Sequence, residues 1–152
     1  MDNFMMPQTS QPARHVFVYG TLRPGGSNDI TRYRPTRQRA GSAVAVGTLY
    51  DLGPYPGLRL EGIRCVIGEV YLVTAPVEQA LDVLESIRPD DQGEYLKKTI
   101  ELDVGGQRLT CLVYEIHESR IGGCSVIDGG DWLEHVNRRH GSIHPQKRDS
   151  IL

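Results

Sequence analysis

Hydrophobic residues in this chain come in short runs broken by glycine and proline, and the runs carry two periods. His15-Val16-Phe17-Val18-Tyr19 is β-rich and ends at Gly20, which predicts a first strand. Val44 to Tyr50 reads as a second strand, with Gly47 inside it as a bulge. Asp51 to Gly57 holds two prolines and two glycines and reads as a turn-rich loop. Cys65 to Val73 is a further apolar strand. Ile100, Leu102 and Val104 alternate with Glu101 and Asp103, and Gly105-Gly106 separates this run from Gln107 to Tyr114. Two runs joined by two glycines predict a β-hairpin.

The helical period appears twice. Val77, Ala80, Leu81, Leu84 and Ile87 fall on one stripe, with Pro76 at the start and Pro89 beyond the end. A shorter helix is expected from about Asp131 to His140. The expected organisation is a loose tail over residues 1–13, one domain over 14–140 and a second tail over 141–152. Many short strands with one or two helices give an α+β domain. Its sheet is expected to be a small mixed barrel or curled sheet with a helix packed on one side.

Composition narrows the class. The 152 residues are 39% hydrophobic and 24% charged, enough for one core and too short for two. Seventeen Lys+Arg against nineteen Asp+Glu argue against a surface that grips nucleic acid throughout. Residues 23–39 concentrate five arginines and read as a solvated connection with internal ion pairs. An RNA-binding barrel using these arginines with Arg138, Arg139, Lys147 and Arg148 is disfavoured, because aromatic residues are only 7% and do not interleave with the basic ones. No apolar run reaches the ~18–20 residues of a membrane helix. The N-terminus has Asp2 and no basic-then-apolar leader. Cys65, Cys111 and Cys124 are odd in number and lack CxxC spacing, so neither disulfides nor zinc are expected, and a cytoplasmic location fits. Cys124, among glycines, is the one to test for reactivity. Five histidines offer no HExxH pair, and no metal site is expected.

Three segments can carry chemistry. Tyr19-Gly20-Thr21-Leu22 follows the first strand, and a tight turn there can aim successive backbone N–H groups at one anion. An ordinary turn has the same pattern. In Leu81-Asp82-Val83-Leu84-Glu85 the two carboxylates are three residues apart and project to similar sides of a helix. Glu85 borders the apolar stripe, where partial desolvation raises a carboxyl toward the range of a general base. A helix glutamate is more commonly a solvated residue. Gly130-Asp131-Trp132 reads as a capped helix start with an aromatic anchor.

Together, in this order, these segments resemble the γ-glutamylcyclotransferase-like, or AIG2-like, family over roughly residues 15–138. Tyr19-Gly20-Thr21-Leu22 matches the family's Tyr-Gly-Ser/Thr-Leu loop. Leu81-Asp82-Val83-Leu84-Glu85 matches its Leu-Asp-x-apolar-Glu signature, and Gly130-Asp131-Trp132 its late Gly-Asp-Trp. Ser86 stands where a glycine is common, residues 86–94 form an acidic insert, and Lys97 replaces an arginine and loses its two-pronged hydrogen bonding. These departures bear on the substrate.

The resemblance implies cyclisation of an L-γ-glutamyl amine to 5-oxoproline and a free amine. It implies Glu85 as catalytic acid/base and Tyr19, Gly20, Thr21 and Leu22 as substrate-binding residues. The substrate's own amine is the nucleophile, so no serine, cysteine, metal or cofactor is required. The expected partner is a small molecule, neither nucleic acid nor membrane. The alternative is a non-catalytic member that binds a small acidic or amide ligand in the same pocket.

Overall fold

The computed structural model describes residues 13–24, 26, 30, 37–85 and 93–140. The strands are β1 (Arg14–Val18), β2 (Arg37–Val46), β3 (Thr48–Asp51), β4 (Pro56–Arg59), β5 (Cys65–Val73), β6 (Tyr95–Val104), β7 (Gln107–Ile116) and β8 (Ser125–Val126). The helices are α1 (Ala75–Leu84) and α2 (Trp132–His140). One mixed sheet runs β2-β5-β1-β7-β4-β3-β8, with β6 added to β7. The α+β class expected from the sequence is what the chain adopts.

The sheet is curled but not a closed barrel. Two of the edge strands, β2 and β6, pack against each other and form no ladder. The register of β2 against β5 breaks between Arg39 and Gly41. Gly41 sits at φ 151°, and a Cβ there would lie 3.0 Å from Cγ1 of Val104 on β6. A bulge bends its strand, and the bent edge packs on β6 instead of pairing with it.

Period-2 alternation sorts the core into two layers. Phe17, Tyr19, Cys111 and Val113 face the inside of the curl with Ala43, Ala45, Val66, Val70 and Trp132. Val16, Val18, Leu112, Tyr114 and Ile116 face the other way, where Val77 and Leu81 of α1 cover them. The second part of β7 is therefore buried on both faces, which explains six consecutive buried residues from Cys111 to Ile116.

The hairpin at Gly105-Gly106 forms as expected. Val104 pairs with Gln107, and both glycines have positive φ (57° and 86°), which a two-residue turn of this kind requires. Three expectations are corrected. The strand expected over 44–50 is two strands, because Gly47 turns the corner between β2 and β3; a Cβ there would lie 2.5 Å from the Arg59 carbonyl oxygen. The loop expected over 51–57 already contains the start of β4, with Pro56 as a first strand residue that needs no ladder donor. Helix α1 begins at Ala75, one residue before the expected Pro76, and ends at Leu84. Ala80 of its expected stripe is exposed; Ile87 and Pro89 lie outside the described residues, as do the tails at 1–12 and 141–152. No helix among the described residues is long and apolar enough to cross a membrane.

The strand order creates a parting in the sheet. Strand β6 occupies one edge of β7 along its whole length. Strands β1 and β4 take successive stretches of the other edge, β1 beside Cys111 and Leu112 and β4 beside Glu115. Where β1 leaves β7 and β4 arrives, the chain after β1 turns out of the sheet.

Candidate active site

A cavity of about 140 Å³ lies at that parting. Its wall includes Tyr19, Gly20, Thr21 and Leu22 from the turn after β1, and Glu85 from the end of α1. The five residues that the resemblance assigns to catalysis and substrate binding thus line one cavity. Tyr55, Pro56, Glu94, Tyr95 and Tyr114 also line it.

The turn is built by a short backbone bond, Arg23 N–H to the Gly20 carbonyl at 3.0 Å. Gly20 is packed so closely on Pro56 that a Cβ would lie 2.7 Å from Cγ of the proline ring. Tyr19 spans the parting. Its hydroxyl donates to the Tyr114 carbonyl at 2.6 Å and accepts from the Leu58 N–H at 3.2 Å. Burial pushes the Tyr19 phenol well above its ordinary range, so it stays protonated and keeps donating.

Arg23 anchors the far end of the turn, against the expectation of a solvated arginine segment. It is buried. Its Nε and Nη2 donate to the two carboxylate oxygens of Glu69 at 2.9 and 3.0 Å, and Nη1 donates to Asp131 at 2.7 Å. Asp131 also accepts from the Glu134 N–H at 3.2 Å, the cap expected at the start of α2. Gly130, just before it, is at φ 69° and presses on β5, where a Cβ would lie 1.9 Å from the Cys65 carbonyl oxygen. The late Gly-Asp-Trp segment therefore locks α2 to the turn beside the cavity. The rest of residues 23–39 lies largely outside the described residues.

Asp82 and Glu85, expected from their spacing to project to similar sides of the helix, meet different partners. Asp82 accepts from the Tyr114 hydroxyl at 2.7 Å and from the Lys97 ammonium at 3.0 Å. Lys97 also pairs with Glu78. Both residues hold α1 on the sheet, and Lys97 does not line the cavity. Glu85 caps the C-terminus of α1, its N–H bonded to the Leu81 carbonyl at 2.9 Å, and its side chain reaches the cavity. There, burial first and the negative charge of Glu94 second push its carboxyl up to about 8.

Glu94, Tyr55 and Tyr114 were not anticipated as lining residues, and Tyr95 reads equally well in sequence as core. Tyr55 donates its hydroxyl to Glu94. Burial and that carboxylate push the Tyr55 phenol up to about 12. Tyr95 donates to the Pro56 carbonyl at 2.7 Å. The available signal was Glu94-Tyr95 at the start of a strand and Tyr55 between two prolines, but nothing local shows that they face each other. Among the described residues no three His, Cys, Asp or Glu side chains are placed to hold a metal. Cys65 is exposed, Cys111 is buried, and Cys124 lies away from the cavity wall.

Known proteins place this architecture. The family model described as gamma-glutamyl cyclotransferase, AIG2-like, matches residues 16–134. A Vibrio cholerae protein provisionally named as a gamma-glutamylcyclotransferase is 42% identical over 123 residues, 80% of this chain and 96% of that one. The gamma-L-glutamyl-butirosin B gamma-glutamyl cyclotransferase of Niallia circulans is 33% identical over 122 residues, 79% of this chain and 70% of that one. Among solved structures, YkqA from Bacillus subtilis superposes with a TM-score of 0.65 at 24% identity, covering 84% of this chain and 42% of that one. The likeness to YkqA is one of fold, and this chain spans less than half of that protein.

Proposed function

The chain belongs to the gamma-glutamyl cyclotransferase, AIG2-like family, and from that premise we propose that it cyclises an L-γ-glutamyl amine to 5-oxoproline and the free amine. The observation that carries this reading is Glu85, a carboxyl raised to about 8 inside the cavity that the Tyr19–Leu22 turn also lines.

The chemistry needs two protons moved from the substrate's α-nitrogen to the departing nitrogen, each by way of Glu85. The substrate's α-ammonium gives a proton to the Glu85 carboxylate, and the freed amine attacks its own γ-carbonyl carbon. The new C–N bond closes a five-membered ring. The bond to the departing amine then breaks as Glu85 returns the proton to that nitrogen. The second proton, left on the ring nitrogen after attack, is taken up by the Glu85 carboxylate and passed to the amine, which departs as its ammonium. Atoms balance without water, metal or cofactor. A peptide α-amino group titrates near 8, and the free α-carboxylate of a γ-glutamyl group raises its amine above that. The raised Glu85 carboxyl is therefore far better matched to the transfer than an ordinary glutamate. The nucleophile is tethered to its target, and a cavity that fixes the extended glutamyl chain in a bent form supplies most of the remaining advantage by proximity. We assign the substrate's anionic groups to the Gly20-Thr21-Leu22 turn, whose peptide N–H groups suit a carboxylate or a developing oxyanion.

The test is incubation of the purified chain with a panel of γ-glutamyl amines and detection of 5-oxoproline. Release that depends on Glu85 supports the reading. Ligand binding without release from any of them overturns it in favour of a binding protein.

A further inference from the structure

The charges around the cavity are one-sided. Its described wall contains two carboxylates, Glu85 and Glu94, and no lysine, arginine or histidine. On β6, Lys97 is taken up by Glu78 and Asp82, and Lys98 pairs with Glu115. Arg120 is close enough to be felt by the Tyr55 phenol, but it is exposed and makes no ion pair with Glu94 among the described residues. Among the described residues Glu94 is therefore met by one neutral side-chain donor, the Tyr55 hydroxyl. An ionised carboxylate has about four acceptor sites, so this leaves most of its capacity unused.

A γ-glutamyl group brings two charges of its own. In the proposed reaction, on which this inference rests, its ammonium goes to Glu85 and its carboxylate to the turn after β1. Glu94 is left with no counterpart on the glutamyl part. Beside it, the rings of Tyr55 and Tyr95 stand 6.4 Å apart on the same wall, surfaces that attract an ammonium through their π faces. We propose that Glu94, with Tyr55 and Tyr95, selects γ-glutamyl amines whose departing amine carries a second positive charge, as a diamine does. A departing group bearing a carboxylate meets like charge at this wall and is disfavoured.

Three amides matched in length test this: γ-glutamyl-1,4-diaminobutane, γ-glutamyl-butylamine and γ-glutamyl-4-aminobutyrate. The readout is kcat/KM from 5-oxoproline release, with wild type, Glu94→Gln and Glu94→Asp. Wild type is expected to prefer the cationic amide over the neutral one by about tenfold, the scale of one partly screened charge pair, with the anionic amide last. Glu94→Gln should bring the cationic-to-neutral ratio close to one, and Glu94→Asp, which keeps the charge, should preserve the order. Thermal melts exclude unfolding as the cause. A wild type indifferent to charge, or a Glu94→Gln variant that slows all three amides equally, overturns this inference and leaves the cyclotransferase reading standing. A wild type that releases 5-oxoproline from none of them overturns both.

Discussion

The hydroxyl of Tyr19 donates to the carbonyl of Tyr114 at 2.6 Å, across the parting where β1 leaves β7 and β4 takes its place. The same hydroxyl accepts from Leu58 on β4. One side chain thus stitches three strands at the wall of the cavity. Replacing it tests how much the site depends on that stitch. Tyr19→Phe strands the Leu58 N–H and the Tyr114 carbonyl in a buried setting, at a cost of about 1–3 kcal/mol. A denaturant titration should show this loss, with a lower kcat/KM alongside. Unchanged stability would mean that β1, β4 and β7 hold together without the phenol.

Glu85→Gln should abolish turnover while the fold persists. General acid–base catalysis contributes about 10²–10⁴ in rate, and glutamine keeps the shape but cannot take the proton. The loss should fall on kcat. Asp82→Asn acts differently, because Asp82 accepts from Tyr114 and Lys97. It should lower stability by about 1–2 kcal/mol and reduce activity less than Glu85→Gln does. Near wild-type 5-oxoproline release by Glu85→Gln would remove Glu85 from the mechanism.

The raised carboxyl gives two pH signatures. First, kcat/KM should climb through an acidic limb near pH 8, where Glu85 loses its proton. Second, stability should respond in the opposite direction. Between the usual glutamate value and about 8, the unfolded chain is ionised while the native one keeps its proton. The native state therefore binds more protons, and stability falls as pH rises through this window. Glu85→Gln removes that penalty. Its melting temperature should match wild type near pH 4 and exceed it at pH 8, and a gap that stays constant with pH would contradict the assignment.

Gly20→Ala should damage the cavity more than its size suggests. The added methyl would sit 2.7 Å from the Pro56 ring, and neither ring nor backbone can swing aside as a flexible side chain would. The turn must move off β4. The expected outcome is a rise in KM of roughly tenfold or more, since misplacement on the order of 1 Å is costly at a reacting site, with little change in far-UV circular dichroism.

Arg23→Met should cost about 3 kcal/mol in stability, because removing the guanidinium leaves Glu69 and Asp131 without their shared partner. Activity should drop as well, since the turn loses its anchor. Hydrogen exchange should quicken at the start of α2, where Asp131 also caps the helix. Protected exchange there would separate α2 from the turn.

Local rules were enough to read much of this protein from its sequence. The alternation through Val104, the Gly105-Gly106 turn, the β5 run and the Val77–Leu81–Leu84 stripe act over a few residues, so period and turn chemistry reveal them directly. The segments around Tyr19, Glu85 and Asp131 each sit at the end of an element, but their local pattern equally fits an ordinary turn, a solvated carboxylate and a capped helix, and the resemblance to the family is what singles them out. Tertiary structure decided what lies between them. Gly47 reads as a bulge until the Arg59 carbonyl is seen to occupy the space its Cβ would need. Arg23 reads as solvated until Glu69 and Asp131, 46 and 108 residues away, close around it. Asp82 and Glu85 share a helix face by spacing, yet the sheet below takes one and the cavity takes the other. Glu94 and Tyr55 meet only because β6 and the approach to β4 converge on β7. Partners this distant in sequence leave no periodic trace, since burial and charge pairing act through space and only the folded chain supplies the distances.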